Sequence, residues 1–337
     1  MNYLPGLNTV RFYAAICVVV THVIRGTGMP LFFSGWNAVS VFFTLSGFLI
    51  TYRLLRDRQE RGKFDLRSFY IRRELRILPL YYAAVIVGGF ILPLFGAVQP
   101  SPDILLQTIL LAPQIPHAHF RGVGAMGEIE HLWSIGVEEW FYLAFPLLLR
   151  RISLVPLCLA VIVISLGLGY FVAPQISRNL FFFMRLLHFE SMAVGALAAW
   201  VVFTRSRILT VLYHSVTQLL VIGVLGYVIA TDFTVFFSDL FLSVFVAVFL
   251  LNISTNPRSL LKLEWRWSKT AGDLSYGIYI WHFPLLWVLA HFFSGAPLMI
   301  STILFTLLVA ALSYRFIEAP FLRLKDRWIP KFAPQPA

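Results

Sequence analysis

Residues 35–95 read GWNAVSVFFTLSGFLITY (35–52), RLLRDRQERGKFDLRSFYIRRELR (53–76) and ILPLYYAAVIVGGFILPLF (77–95). A helix crossing the hydrocarbon core of a bilayer needs about 20 mostly apolar residues, and the two flanking stretches supply that. The stretch between them holds nine basic residues: Arg53, Arg56, Arg58, Arg61, Lys63, Arg67, Arg72, Arg73 and Arg76. Loops rich in Lys and Arg stay in the cytoplasm. Two apolar spans joined by such a loop predict a polytopic membrane protein.

The rest of the chain agrees. Of 337 residues, 59% are hydrophobic and 13% charged, with a mean hydropathy of +0.79. A soluble domain is roughly 45–50% apolar and about 25% charged, so neither a soluble enzyme nor a disordered chain fits. Apolar runs predict ten spans, at 7–24, 35–52, 77–95, 132–149, 152–173, 180–203, 209–230, 235–253, 274–293 and 297–314. Segment 103–113 is too short and reads as interfacial or re-entrant. The first span carries Arg11 and His22 and has no small-residue cleavage pattern after it, so it does not read as a cleaved signal.

The remaining Lys and Arg follow the same side. Arg150 and Arg151, Arg205 and Arg207, the group Arg258, Lys262, Arg266 and Lys269, and the group Arg315, Arg323, Lys325, Arg327 and Lys331 all follow even-numbered spans. The other side holds Arg25, Arg121 and Arg178, while Arg11 and Arg185 fall within spans. The expected fold is an all-α membrane bundle of about ten helices with both termini cytoplasmic. A single transmembrane domain covers 1–327, and 328–337 is a short Pro-rich tail. The net charge of +11 is then loop charge and needs no nucleic acid. Cys17 and Cys158 lie in apolar runs and suggest neither a disulfide framework nor a metal site.

Ionisable residues inside spans are costly and point to function. Arg11 and His22 are three helical turns apart, on one face and roughly 16 Å from each other. His131, Ser134 and Glu138 share a face of the fourth span, and the adjacent Glu139 points elsewhere. Histidine is the usual base near neutral pH; a snorkelling Arg and a helix-end His are the bland alternative. Arg72, Arg73 and Arg76 crowd the inner entrance of the third span, where guanidinium forks suit phosphate oxygens such as those of a coenzyme A. Arg185 and Glu190 sit in the sixth span around His188, and Ser275, Tyr276, Tyr279, Trp281 and His282 form a polar-aromatic stripe in the ninth. His117 and His119 lack a completing ligand set, so no metal is expected. A transporter would also place Arg, His and Glu inside the membrane, but it would more typically show inverted repeats and broken helices, and neither is visible.

Six stretches, taken together, resemble the integral-membrane acyltransferase-3 family. They are the Leu4–Arg11 stretch leading to His22, Phe42–Thr51, Arg72–Tyr81, His131–Tyr142 (HLWSIGVEEWFY), Ser275–His282 (SYGIYIWH) and Ser313–Pro320. Trp140 and Gly136 depart from the family's usual Gln and Ser, which bears on the acceptor. The chain resembles the stand-alone form, without a fused esterase-like domain. The resemblance implies an enzyme of the bacterial inner membrane that transfers an acyl group, acetyl by default, from cytoplasmic acyl-CoA to a hydroxyl. The acceptor is usually a glycan or lipid-linked saccharide, with a macrolide as an alternative. On this reading His22, Glu138, Glu139 and Arg11 are catalytic, with one of the two carboxylates orienting an imidazole. Arg72, Arg73 and Arg76 hold the CoA phosphates. Arg185, Glu190, His131, Trp133, Tyr279 and His282 bind substrate. No permanently bound cofactor is implied.

Overall fold

The computed structural model describes residues 4–27, 35–62, 64–120, 124–231 and 238–328. Every regular element among them is helical. In chain order these are α1 (Leu7–Thr27), α2 (Gly35–Arg61), α3 (Leu66–Ile86), α4 (Pro102–Ile109), α5 (Gln114–Phe120), α6 (Trp133–Leu148), α7 (Leu154–Leu166) and α8 (Ala173–Ile176). They continue as α9 (Arg178–Leu186), α10 (Phe189–Phe203), α11 (Leu209–Leu212), α12 (Ser215–Thr231), α13 (Ser238–Thr255), α14 (Ser268–Ala290), α15 (Gly295–Ser313) and α16 (Ala319–Trp328).

Among the described residues, six helical runs are long and apolar enough to cross a membrane: Leu7–Arg25, Asn37–Glu60, Leu66–Phe95, Leu154–Ile176, Arg178–Phe203 and Gly295–Leu324. Ser215–Thr231 and Asp239–Thr255 are apolar but shorter. The other two stretches expected to span fold as α6 and α14, whose polar side chains build the site described below. The protein is thus a multi-pass helical membrane protein. Segment 103–113 contains the short helix α4, begun by the Ser101 hydroxyl accepting from the Ile104 N–H. Arg121 and the tail beyond Trp328 lie outside the described residues.

The basic stretch 53–76 differs from the loop its charge suggests. Helix α2 runs on through it to Arg61, supported by Arg56 and Glu60 one turn apart at 2.6 Å. Gly62 then reverses the chain in the left-handed region (φ 69°), where glycine alone is unstrained. Asp65 caps α3 by accepting from the Ser68 N–H at 3.1 Å. Arg72 of α3 donates to Asp57 of α2 at 3.0 Å and ties the hairpin together. Among its described residues, the basic segment is therefore a pair of helix ends held by an ion pair.

Helix α10 packs most closely against α2, and also against α7 and α13. Small residues set this crossing. A Cβ on Gly47 would overlap the Met192 carbonyl oxygen, and one on Gly195 would overlap that of Thr44. The two backbones touch, as membrane helices do at small-residue positions. Helix α1 packs on α14, α2 and α15, so α2 joins the two halves of the bundle. The expected sixth span is interrupted between α9 and α10, where His188 takes a left-handed conformation (φ 45°, ψ 26°).

Replacing Gly195 by Val should destabilise the protein by about 1–3 kcal/mol or more through overpacking. Gly223→Val, with no neighbour within 4 Å of its added Cβ, should melt close to the wild type. Thermal unfolding of the two variants in detergent compares them.

Candidate active site

Four helices, α1, α2, α6 and α14, line a partly open cavity of roughly 60 Å³, bordered in part by Arg11, Phe42, Ser46, Glu138, Ser275 and Tyr279. Glu138 is held from two sides. Its Oε1 accepts from the Ser46 hydroxyl at 2.6 Å and its Oε2 from the Tyr142 hydroxyl at 2.8 Å. The Arg73 guanidinium lies 3.8 Å above the Tyr142 ring, a cation–π contact. Arg11 is within electrostatic reach of Arg73, Arg76 and Glu138, and Arg53 of Arg72, Arg73 and Arg76. Five arginines thus form one charged group with Glu138 and Asp57, and Arg11 brings it to the cavity. Glu139 faces another way, buried near Arg73 and Glu74, and its Oε1 has no hydrogen-bond partner among the described residues. Among those residues neither carboxylate bonds an imidazole.

Three histidines converge above the cavity. The Nε2 of His282 lies 3.1 Å from Nδ1 of His22, with ring centroids 5.0 Å apart. The His131 ring stands 5.2 Å from His282, and Phe283 packs against all three. His131 Nε2 donates to the Ile280 carbonyl at 3.0 Å. That carbonyl is available because its normal helical donor would be residue 284, and Pro284 has no N–H. One proline therefore frees the backbone group that fixes His131. Tyr279 connects the two levels. Its ring lines the cavity and lies 5.8 Å from His131 and 5.6 Å from His282. Its hydroxyl donates to the His131 carbonyl at 2.9 Å and accepts from Ser134 at 2.6 Å. Arg11 stands at one end of this column and His22, three turns up α1, at the other.

Arg185 and Glu190 belong to a second cluster. Arg185 pairs with Asp239, bonds the Tyr170 hydroxyl and covers the Tyr170 ring at 4.6 Å. His188 lies 4.0 Å from Asp239. His188, Glu190 and Asp239 have ligand-type atoms within 4.8 Å of one another, but the Arg185 cation already occupies the Asp239 carboxylate. The ring of Phe43 separates this cluster from the cavity: it lines the cavity and lies 4.9 Å from His188. Trp133 packs on Phe43 and stacks on His117 at 5.3 Å. In the connection between α5 and α6, burial beside Glu130 pushes the Glu128 carboxyl up to about 7, and burial lowers His117 to about 4. Near pH 7 His117 is then neutral, and its 3.4 Å approach to Glu130 is not an ion pair. Trp140, the departure noted in the sequence, packs on Phe183.

Comparison with known proteins settles the family, since residues 4–315 match the acyltransferase-3 family, described as an acyltransferase domain. The chain belongs to that family. It is 28% identical to the O-acetyltransferase OatA of Staphylococcus aureus, strains NCTC 8325 and COL, over 354 residues that cover 95% of this chain and 57% of OatA. SACOL0978 of S. aureus strain COL is 26% identical over 371 residues, covering 99% of this chain and 60% of its own. The chain thus spans a little over half the length of these relatives. No solved structure matches it.

Of the residues singled out in the sequence, His22, His131, His282 and Tyr279 meet at the top of the column. Arg11, Glu138 and the Arg72–Arg76 group meet at its base. Trp133 stands beside Phe43, and Arg185 and Glu190 lie behind that ring. Sequence reasoning passed over Asp239, an acid at the head of an apolar run, which its position alone marks as costly. It also passed over Asp57 and Ser46, whose roles depend on partners far along the chain. Replacing Asp239 by Ala should leave the partly buried Arg185 without its carboxylate, a loss of about 1.5–3 kcal/mol. The double variant Arg185→Leu, Asp239→Leu should recover much of it, as thermal unfolding would report.

Proposed function

We propose that this protein is a membrane-embedded O-acyltransferase that moves an acyl group, acetyl by preference, from cytoplasmic acyl-CoA to a hydroxyl of a cell-surface or secreted glycan. It acts in the inner membrane of a bacterium, with about ten spans and both termini in the cytoplasm. One observation carries the reading: Arg11, Glu138 and Tyr279 line one cavity, with Arg73 and Arg76 near Arg11 and with His131 and His282 packed against Tyr279.

The chemistry follows from the groups present. The CoA phosphates bind at Arg72, Arg73 and Arg76, where bidentate guanidinium contacts are strong. The acyl-pantetheine arm rises past Arg11 and Glu138 toward Tyr279. At the top, His22 takes the proton of the acceptor hydroxyl as its oxygen attacks the thioester carbon. A preorganised hydrogen-bonding group beside His22 stabilises the oxyanion formed, while Arg11, three turns below, steadies the acyl-CoA arm where it passes. The C–S bond then breaks, the C–O ester remains, and the CoA sulfur recovers the proton from the imidazolium. No acyl-enzyme is invoked. Glu138, fixed by Ser46 and Tyr142, keeps the cationic base of the column balanced.

In cells, mass spectrometry of surface glycans should show an acyl mass increment with wild-type protein and lose it with His22→Ala. If His22→Ala transfers at the wild-type rate, the mechanism is wrong. Arg73→Ala should weaken acyl-CoA binding about tenfold or more, the loss expected of a charged hydrogen bond, with protein amount unchanged. Uptake of a glycan or macrolide by proteoliposomes without acyl-CoA, and no thiol release with it, would favour transport instead.

A further inference from the structure

We propose that His282 is a positioning residue that holds His22 in the tautomer with hydrogen on Nδ1, leaving Nε2 as its basic nitrogen. The proposal relies on the acyltransferase reading only for the use to which that nitrogen is put.

The assignment follows from what each atom can donate or accept. The Nδ1 of His282 lies 2.6 Å from the Tyr279 carbonyl. Carbonyl oxygens only accept, so this nitrogen carries the hydrogen. The ring is fully buried, and in the neutral imidazole its Nε2 is then a bare acceptor. That acceptor lies 3.1 Å from Nδ1 of His22, and the Val18 carbonyl lies 3.1 Å from the same His22 nitrogen. Two acceptors converge on one atom. Only an N–H there satisfies them; the opposite tautomer would bring three lone pairs together in a buried place. The hydrogen of His22 therefore sits on Nδ1, shared between Val18 and His282.

The surrounding packing keeps the rings from turning over. Phe283 meets the His22 ring edge-on at 5.2 Å and stacks on His131 at 5.4 Å. His131 is itself anchored to the Ile280 carbonyl. Two successive carbonyls of α14, those of residues 279 and 280, thus orient two imidazoles, and one of these orients the third. When His22 accepts a proton at Nε2, its Nδ1–H still points at the His282 lone pair, which favours the cation formed. A neutral imidazole occupies the place that a carboxylate takes in a Ser-His-Asp triad.

The test has two arms on the full chain in lipid. The first is solid-state NMR of ¹⁵N-histidine-labelled protein near neutral pH, with the His22 signals identified by their loss in His22→Ala. The expected result is a protonated Nδ1 and a bare Nε2. A bare Nδ1, or a doubly protonated ring, overturns the proposal even if no acyl acceptor has been found. The second arm is turnover with acetyl-CoA. His282→Phe keeps a ring but removes the acceptor, and kcat should fall about tenfold or more with KM for acetyl-CoA unchanged. His282→Gln, whose amide oxygen can accept from His22, should recover most of the loss. Equal turnover by His282→Phe and wild type would sink the positioning role. Absence of acyl transfer by wild type would instead sink the proposed function and leave the tautomer for the NMR to decide.

Discussion

A charge or polar hydrogen left unpaired in the hydrocarbon of a bilayer costs several kcal/mol, and this constraint arranges the polar interior of the protein. The acid Glu138 is met by two hydroxyls, Asp57 by Arg72 and Asp239 by Arg185. Arg73 is placed over an aromatic face. The cavity lies where these pairings leave a surplus of guanidinium groups at one end and a cluster of imidazole and aromatic rings at the other. Its polar character is the remainder after the internal pairings are made.

Backbone geometry lets the pairings form. Gly47 and Gly195 bring α2 and α10 into direct contact, which sets Ser46 on α2 facing Glu138 on one side while Phe43 backs onto His188 on the other. Pro284 does the complementary thing on α14: it removes one N–H and so makes one carbonyl available to a side chain. A residue usually read as a helix kink acts here as a source of an acceptor. The left-handed turn at His188 works similarly, ending one helix and starting another so that Arg185 and Glu190 can both face Asp239.

Much of this was legible in the sequence because membrane proteins show their constraints openly. Apolar runs locate most helices, and the rarity of Arg11, His22, Glu138 and Arg185 within them marks the polar interior. The motifs around His22, Arg72–Arg76, His131–Tyr142 and Ser275–His282 give the family. The pairings were harder to read. His22 and His282 are 260 positions apart, and Arg185 and Asp239 are 54 apart. An azimuth on one helix does not reveal which residue of another will face it. For the same reason the sequence suggested a carboxylate beside an imidazole, whereas Glu138 is engaged by Ser46 and Tyr142. The basic stretch 53–76 misled differently: its charge suggested a loop, but its Leu, Arg, Gln and Glu residues are good helix formers.

The ring of Phe43 has a further consequence. It stands between two polar compartments, the cavity with Arg11 and Glu138 and the cluster of His188, Glu190 and Asp239. Each compartment holds groups able to pass a proton along. Across an energised bilayer a proton moving down the full potential gains about 2.3 kcal/mol per 100 mV, so a connected chain of such groups would discharge the cell. A benzene ring carries no proton and admits no water. Phe43 thus sets a side chain that neither accepts nor donates a proton between the two groups.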